Sequence, residues 1–171
     1  ASKKVGAPVK WVEDRLEHLA AAAHAPNRLT TLEAAVKNDG TVTAFRFDQQ
    51  DDYGAFLRAP MPGPLYRMHG ILTGAYDIKN LAVTNRVVMT NKCPSAMVRG
   101  FGGPQMYYAI ERIMQKVAAE LDMDPLDVIR KNLIPEGMFP YRAAAGALLD
   151  SGDYPKAIEQ AVNEGGLEAL K

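Results

Sequence analysis

The apolar residues between positions 106 and 121 recur every three or four positions, and this pattern constrains the fold more than any other feature of the chain. The spacing places them on one face of an α-helix, opposite a charged face. Pro104 suits the first helical turn, where its missing N–H is not needed. A stripe this long has to be buried against another layer. The members of the stripe are Met106, Ala109, Ile110, Ile113, Met114, Val117, Ala118 and Leu121.

Alternating apolar residues predict the strands that this helix would cover. Residues 27–50 form a predicted hairpin, because two alternating runs flank the turn sequence "NDG" at 38–40. The Val- and Thr-rich run at 80–92 predicts another strand, and a short one is predicted at Val9–Val12. The expected fold class is therefore α+β, with a mixed, mostly antiparallel sheet, covering helices and a long amphipathic helix after a Gly-rich loop.

Capping residues predict three more helices. Asp14, Asp124 and Asp153 each precede a helix-compatible run, and a proline follows closely after the second and third of them. The opening "ASKKVG" is typical of a final helical turn that ends at glycine. We therefore expect residues 1–171 to form a single domain that is a piece of a longer polypeptide.

Composition argues against several classes of function. Basic and acidic residues number 20 each, so no net field would attract nucleic acid or an anionic membrane. The sequence contains no apolar run long enough to span a bilayer. The single cysteine, Cys93, cannot form an internal disulfide, which fits a cytoplasmic location.

The stretch "SAMVRGFGGPQ" at residues 95–105 is the strongest candidate for a binding loop. It joins a predicted strand to the N-terminus of the long helix, where free N–H groups and the helix dipole favour an anionic group. Arg99 could add charge-assisted donors, and Phe101 a flat apolar wall. The spacing fits neither usual nucleotide-binding loop. Taken alone, the pattern leaves a structural turn and a ligand-binding loop equally open.

The remaining polar residues give weaker signals. The three histidines are too scattered along the chain to predict a metal site. Asp51 and Asp52 could hold a cation, but two carboxylates are few for a hard cation, so an ordinary polar turn is favoured. We predict no metal-ligating residue in this chain.

Longer motifs around the loop resemble the molybdenum hydroxylases, the family of xanthine oxidase, aldehyde oxidase and the aerobic carbon monoxide dehydrogenase-like enzymes. The resemblance covers nearly the whole chain. The motifs are "TNKCPSAMVRGFGGPQ" and, further on, "DPLDVIRKNLI" and "FPYRAAAGALLDSGDYPKAI". It implies a fragment of the large, catalytic subunit, which binds a molybdopterin cofactor; the cytosine dinucleotide form is one candidate.

The resemblance assigns expected roles to five residues. Arg99, Gly100, Phe101 and Gly102 match the loop that lies against the molybdenum centre, where backbone amides contact the cofactor and the aromatic ring stacks on flat substrates. Arg67 falls where xanthine oxidase-like enzymes carry an arginine that orients the substrate.

Two positions depart from the better-known members. Val98 stands where xanthine oxidase-like enzymes have a second phenylalanine, so purine sandwiching is not expected. Gly100 stands where true carbon monoxide dehydrogenases have a copper-binding cysteine, which argues against carbon monoxide. The resemblance therefore implies hydroxylation of an aldehyde or N-heterocycle, with water as the oxygen source.

The resemblance also implies partners. These are the remainder of the large subunit, iron–sulfur and FAD subunits or domains, and a small-molecule substrate. The family's "GGxFG", "QGQG" and catalytic "GExS" motifs are not found in these residues. The cofactor would bind only in the intact protein, and the isolated chain is expected to be inactive. The alternative is an interaction domain whose glycines only make a turn.

Overall fold

A three-stranded sheet in the order β1-β2-β3 forms the framework of the computed structural model, which describes residues 1–170. Strand β1 (Asn27–Val36) pairs antiparallel with β2 (Val42–Asp52), and β3 (Asn80–Val88) runs parallel to β2. A second, small antiparallel sheet pairs β4 (Tyr141–Arg142) with β5 (Leu148–Leu149). The predicted mixed, mostly antiparallel sheet is confirmed.

The helices follow the cap and proline signals of the sequence. Asp14, Asp124 and Asp153 each accept a backbone N–H from the first turn of the helix that follows. The amphipathic helix predicted after the Gly-rich loop is confirmed as α4. The α-helices are α1 Ser2–Val5, α2 Arg15–Ala21, α3 Gly63–Tyr66, α4 Gly103–Glu120, α5 Pro125–Asn132, α6 Tyr154–Glu164 and α7 Leu167–Leu170, with 3₁₀ turns at His69–Ile71 and Glu136–Met138.

The main core lies between the sheet and α4. Alternation along β2 points Phe45 and Phe47 to this side, where each is 1% exposed and their rings meet edge to face at 5.9 Å. Met106, Ile110 and Met114 of the α4 stripe pack in the same cluster. The apolar face of α4 and the apolar face of β2 are thus buried against each other in one layer.

The strand predicted at Val9–Val12 is wrong. The backbone there belongs to no strand, and Trp11 and Val12 are 75% and 77% exposed. Strand propensity reflects packing against neighbouring strands, and within residues 1–170 none pairs with this segment.

None of the helices within residues 1–170 has the length and apolarity that crossing a membrane would require.

A buried amide joins α5 to the turn between β1 and β2. The Asn132 side chain accepts the Val42 N–H at 2.8 Å and donates to the carbonyls of Gly40 and Val128 at 2.9 and 2.8 Å. We expect Asn132→Ala to lower the free energy of unfolding by about 2–3 kcal/mol, because these buried backbone groups lose their partners. Urea denaturation measures the loss, with exposed Asn91→Ala as the control. Equal effects of the two variants would contradict this role.

Three tyrosines are predicted to make the fold sensitive to alkali. Burial raises the pKa values of Tyr53, Tyr76 and Tyr141, and a hydrogen bond to a carboxylate adds to the shift in each (Asp51, Glu111 and Asp77, respectively). Since the unfolded chain has the ordinary tyrosine pKa of about 10, this stability is complete below pH 10 and is lost as the pH rises further.

Absorbance at 295 nm and circular dichroism along a pH titration test the tyrosine prediction. We expect Tyr53, Tyr76 and Tyr141 to ionise only as the helical signal disappears, and Tyr76→Phe to reduce the loss of stability above pH 10. Ionisation of all seven tyrosines in a chain with unchanged dichroism would contradict it.

Candidate functional site

Hydrogen bonds to the end of β2 fix the chain that leads from β3 into the Gly-rich loop. The carboxylate of Asp52 accepts from the side chains of Lys92 and Thr90 and from the Gly54 N–H, and these bonds lower the pKa of Asp52 to about 2. The Ser95 hydroxyl donates to the backbone carbonyl of Asp52 at 3.0 Å. The loop therefore begins from a fixed point beside β2.

The loop contains three successive residues with left-handed backbone conformations. The φ angles are +96° at Gly100, +46° at Phe101 and +92° at Gly102. A non-glycine residue at positive φ is uncommon, because its backbone is strained. The surrounding structure must therefore hold Phe101 in this conformation. Within residues 1–170, the N–H groups of Gly100 and Gly102 have no acceptor. Two backbone donors are thus free at the N-terminus of α4.

The segment 59–66 packs directly against this loop. A Cβ atom on Gly102 would overlap the Pro64 carbonyl, and one on Gly63 would lie 2.8 Å from Cζ of Phe101. Arg67 follows this segment, and its guanidinium carbon lies 5.5 Å from the centre of the Phe101 ring. The fold therefore brings together Arg67 and Phe101, which are distant in sequence, as a cation–π pair.

A cleft of about 140 Å³ opens beside the loop. Arg99 is exposed and, among the described residues, forms neither a hydrogen bond nor an ion pair. Arg67 and Gly100 do not line this cleft, so the five predicted site residues lie around two neighbouring surfaces of the loop. The lining residues are Ala25, Pro26, Pro64, Val98, Arg99, Phe101, Gly102, Pro104 and Gln105.

Gln105 is a polar residue of the cleft that the sequence analysis missed. Its Oε1 atom is buried without a hydrogen-bond partner, while its Nε2 lies 3.5 Å from the Pro26 carbonyl. A buried acceptor without a partner is unusual in proteins and indicates a place where a bound donor would be accommodated. Gly102, whose N–H is also free, lines the same cleft, so the cleft has both a donor and an acceptor for a polar ligand.

The polar turn predicted at Asp51 and Asp52 is wrong, because these are the last two residues of β2. The side chain of Asp51 is fully buried and forms a bidentate ion pair with Arg28. The signal was present in the sequence, since alternation from Phe45 and Phe47 places Asp51 on the core face. The core-facing position of Asp51 was missed because Asp51 and Asp52 stand next to each other in a run of polar residues.

Comparison with known proteins identifies relatives across the whole chain. Residues 1–133 match the family model described as "Molybdopterin cofactor-binding domain". The chain is 38% identical over its full length to the carbon monoxide dehydrogenase large chain of Afipia carboxidovorans, covering 22% of that protein. It is 32% identical to the nicotine 6-hydroxylase large subunit of Paenarthrobacter nicotinovorans, over 93% of this chain and 20% of that one.

A solved structure of Cu,Mo-CO dehydrogenase matches the fold with a TM-score of 0.90 and 37% identity, over 99% of this chain and 22% of that one. The chain thus spans about a fifth of the length of the relatives it matches.

Proposed function

Since the chain belongs to the molybdopterin cofactor-binding domain family, we propose that it forms one wall of the active site in the large subunit of a molybdenum-dependent hydroxylase. The observation that carries this proposal is the loop at the N-terminus of α4. Its backbone offers the unpaired N–H groups of Gly100 and Gly102, and Arg99 beside them has no acidic partner in residues 1–170. Donors and a cation with no protein partner suit an anionic ligand.

The residues of the loop suit a molybdopterin group, and the cytosine dinucleotide form is one candidate for it. Gly100 and Gly102 would donate backbone hydrogen bonds to its oxygen and sulfur atoms, and Arg99 would balance its negative charge. The buried acceptor of Gln105 would receive an N–H or O–H of the ligand. When bound, the cofactor supplies the two-electron oxidation of the substrate, with water as the source of oxygen.

Arg67 and Phe101 would act on the substrate. The ring of Phe101 gives a planar molecule an apolar wall, held in place by its left-handed backbone and by contact with Gly63. The exposed guanidinium of Arg67, next to that ring, would orient a carbonyl or ring nitrogen and stabilise negative charge that develops there. Positioning and charge stabilisation are therefore the contributions of this chain's side chains.

An aldehyde or an N-heterocycle is the proposed substrate. Gly100 has no side chain that could bind a second metal, which counts against carbon monoxide despite the similarity to carbon monoxide dehydrogenase. The relative that is named a nicotine 6-hydroxylase supports a heterocycle. Val98, half exposed at the cleft, stands where xanthine oxidase-like enzymes have a phenylalanine, so a purine would not be held between two aromatic rings here.

The alternative of an interaction domain predicts Phe101 in the core and Arg99 paired with an acid. Phe101 is only half-buried and lies outside both the main core and the smaller apolar cluster of Ile134, Tyr141 and Ala143. Arg99 is exposed without an acidic partner in the described residues. Both observations favour the enzyme.

Large apolar side chains are also exposed on the segments that flank the loop, namely Phe56, Leu57, Tyr66, Met97, Tyr107 and Tyr108.

Such a surface suits contact with the remainder of the large subunit. We propose that residues 1–171 are a single domain of a longer, cytoplasmic polypeptide that works with iron–sulfur and FAD subunits or domains. The isolated chain would be inactive because a general base and the rest of the cleft lie outside it.

Turnover by the intact protein tests the proposed function. We expect molybdenum-dependent hydroxylation of aldehydes or N-heterocycles and no oxidation of carbon monoxide. Arg67→Ala should lower kcat by about 10²-fold with unchanged molybdenum content, since a charge-stabilising donor is lost. Arg58→Ala is the control, because exposed Arg58 directly precedes the segment 59–66 just as Arg67 directly follows it. Hydroxylation by the isolated chain, or an intact protein that binds no molybdenum, would contradict the proposal.

A further inference from the structure

A buried ion pair joins the ends of the two long strands that lie nearest to the site. Arg28 of β1 and Asp51 of β2 are direct cross-strand partners, and their side chains are 3% and 0% exposed. Nε of Arg28 lies 2.5 Å from Oδ1 of Asp51, and Nη2 lies 2.8 Å from Oδ2. This is the bidentate geometry that holds a guanidinium in one orientation.

The same cluster reaches two backbone carbonyls of the segment 59–66. Nη2 of Arg28 also donates to the carbonyl of Pro64 at 3.1 Å. The Tyr53 hydroxyl lies 3.0 Å from Oδ2 of Asp51 and 3.2 Å from the carbonyl of Pro62, so its proton can be shared between them. The guanidinium of a β1 residue and the hydroxyl of the residue that follows β2 therefore contact the carbonyls of alternate residues in this segment.

Those carbonyls belong to the part of the segment that touches the Gly-rich loop. The Pro64 oxygen occupies the space that a side chain on Gly102 would need, and Gly63 lies against the ring of Phe101. A shift of this segment toward the loop would consequently press the Pro64 carbonyl against Gly102 and Gly63 against the Phe101 ring. Arg67, which follows directly, rests on the same ring.

A buried ion pair is a poor source of stability, because the cost of removing both charges from water offsets most of their attraction. The ion pair instead orients the guanidinium of Arg28, so that its Nη2 donates to the Pro64 carbonyl. We infer that Arg28, Asp51 and Tyr53 are positioning residues, which fix the Pro62 and Pro64 carbonyls and so hold the Gly-rich loop and Arg67 in place. The consequence for cofactor binding rests on the proposed function, whereas the positioning of the backbone does not.

Hydrogen exchange of the intact protein tests this inference on the double variant Arg28→Met/Asp51→Leu. The matched control is Arg46→Met/Glu33→Leu, which removes an exposed ion pair between the same two strands. Replacing both charges together avoids an orphaned buried charge, so the melting temperature should fall only by the small amount expected for the lost hydrogen bond to the Pro64 carbonyl. Peptides covering 58–67 and 97–103 should exchange about tenfold faster, while peptides from α4 keep their protection.

Tyr53→Phe removes only one hydroxyl and should accelerate exchange in 58–67 alone, which preserves the test if the double variant fails to fold. The inference is overturned if exchange in 58–67 is unchanged in both variants, or if it rises equally throughout α4 and in the control. The molybdenum content of the variants distinguishes the positioning role of these residues from the cofactor role of the loop. Faster exchange with full molybdenum supports the positioning role and counts against the cofactor role.

Discussion

Gly102→Ala is expected to destabilise the domain by about 2–5 kcal/mol. An L-residue in the left-handed region costs about 1–2 kcal/mol, and Gly102 has a φ of +92°. The added Cβ would also overlap the Pro64 carbonyl. Relieving such an overlap in a packed region costs about 1–3 kcal/mol more. Because the carbonyl is held by Arg28, it cannot move without breaking a buried hydrogen bond.

Gly146→Ala is the matched control for this prediction. Gly146 has a φ of +99°, but a Cβ there would meet nothing within 4 Å. It therefore incurs the backbone cost alone, and the difference between the two variants in urea denaturation measures the contact between the loop and the segment 59–66. Equal losses at Gly102 and Gly146 would mean that this contact is loose and that the site is not preorganised by it.

Arg99→Ala in the intact protein is expected to lower molybdenum content, or turnover per molybdenum, by about 10²–10³-fold. A positioned cation that acts on negative charge has an effect of this order. The melting temperature should not change, because Arg99 is exposed and has no acidic partner within residues 1–170 to be left unpaired. A structural arginine with a buried partner would show the opposite, since its orphaned carboxylate destabilises the fold.

Arg99→Lys separates charge from geometry in the same experiment. Lysine keeps the charge but lacks the planar fork of donors. We expect partial recovery of molybdenum content if charge is the main contribution. Full molybdenum and full activity in Arg99→Ala, together with early melting, would make this arginine a structural residue and remove it from the site.

Local signals in the sequence predict most of the helices and the long hairpin. A cap such as Asp124 and the stripe that includes Met106 act within a few residues, so their consequences can be derived without knowing the rest of the fold. The turn at 38–40 sets the register of β1 against β2 in the same way. The error at Val9–Val12 arose because a strand depends on a partner, which no local pattern supplies.

The surroundings of the site depend on contacts between distant residues. The sequence identifies the Gly-rich loop and Arg67 as separate features, and only the fold shows that Arg67 lies over Phe101. The pairing of Arg28 with Asp51 needed both the register of the hairpin and the face on which each side chain lies. Such a pair can be predicted only after the strand pairing is known, which explains why the sequence analysis missed the buried cluster of Arg28, Asp51 and Tyr53.

The distance between the Gly-rich loop and the cofactor tests the central claim most directly. A crystal structure of the intact protein loaded with molybdopterin would give the separation between the backbone nitrogens of Gly100 and Gly102 and the nearest cofactor atoms. We predict that at least one of these nitrogens lies at hydrogen-bond distance, about 2.7–3.2 Å, from an oxygen atom of the cofactor. A cofactor bound elsewhere, with both N–H groups donating to protein acceptors from the remainder of the chain, would contradict the account.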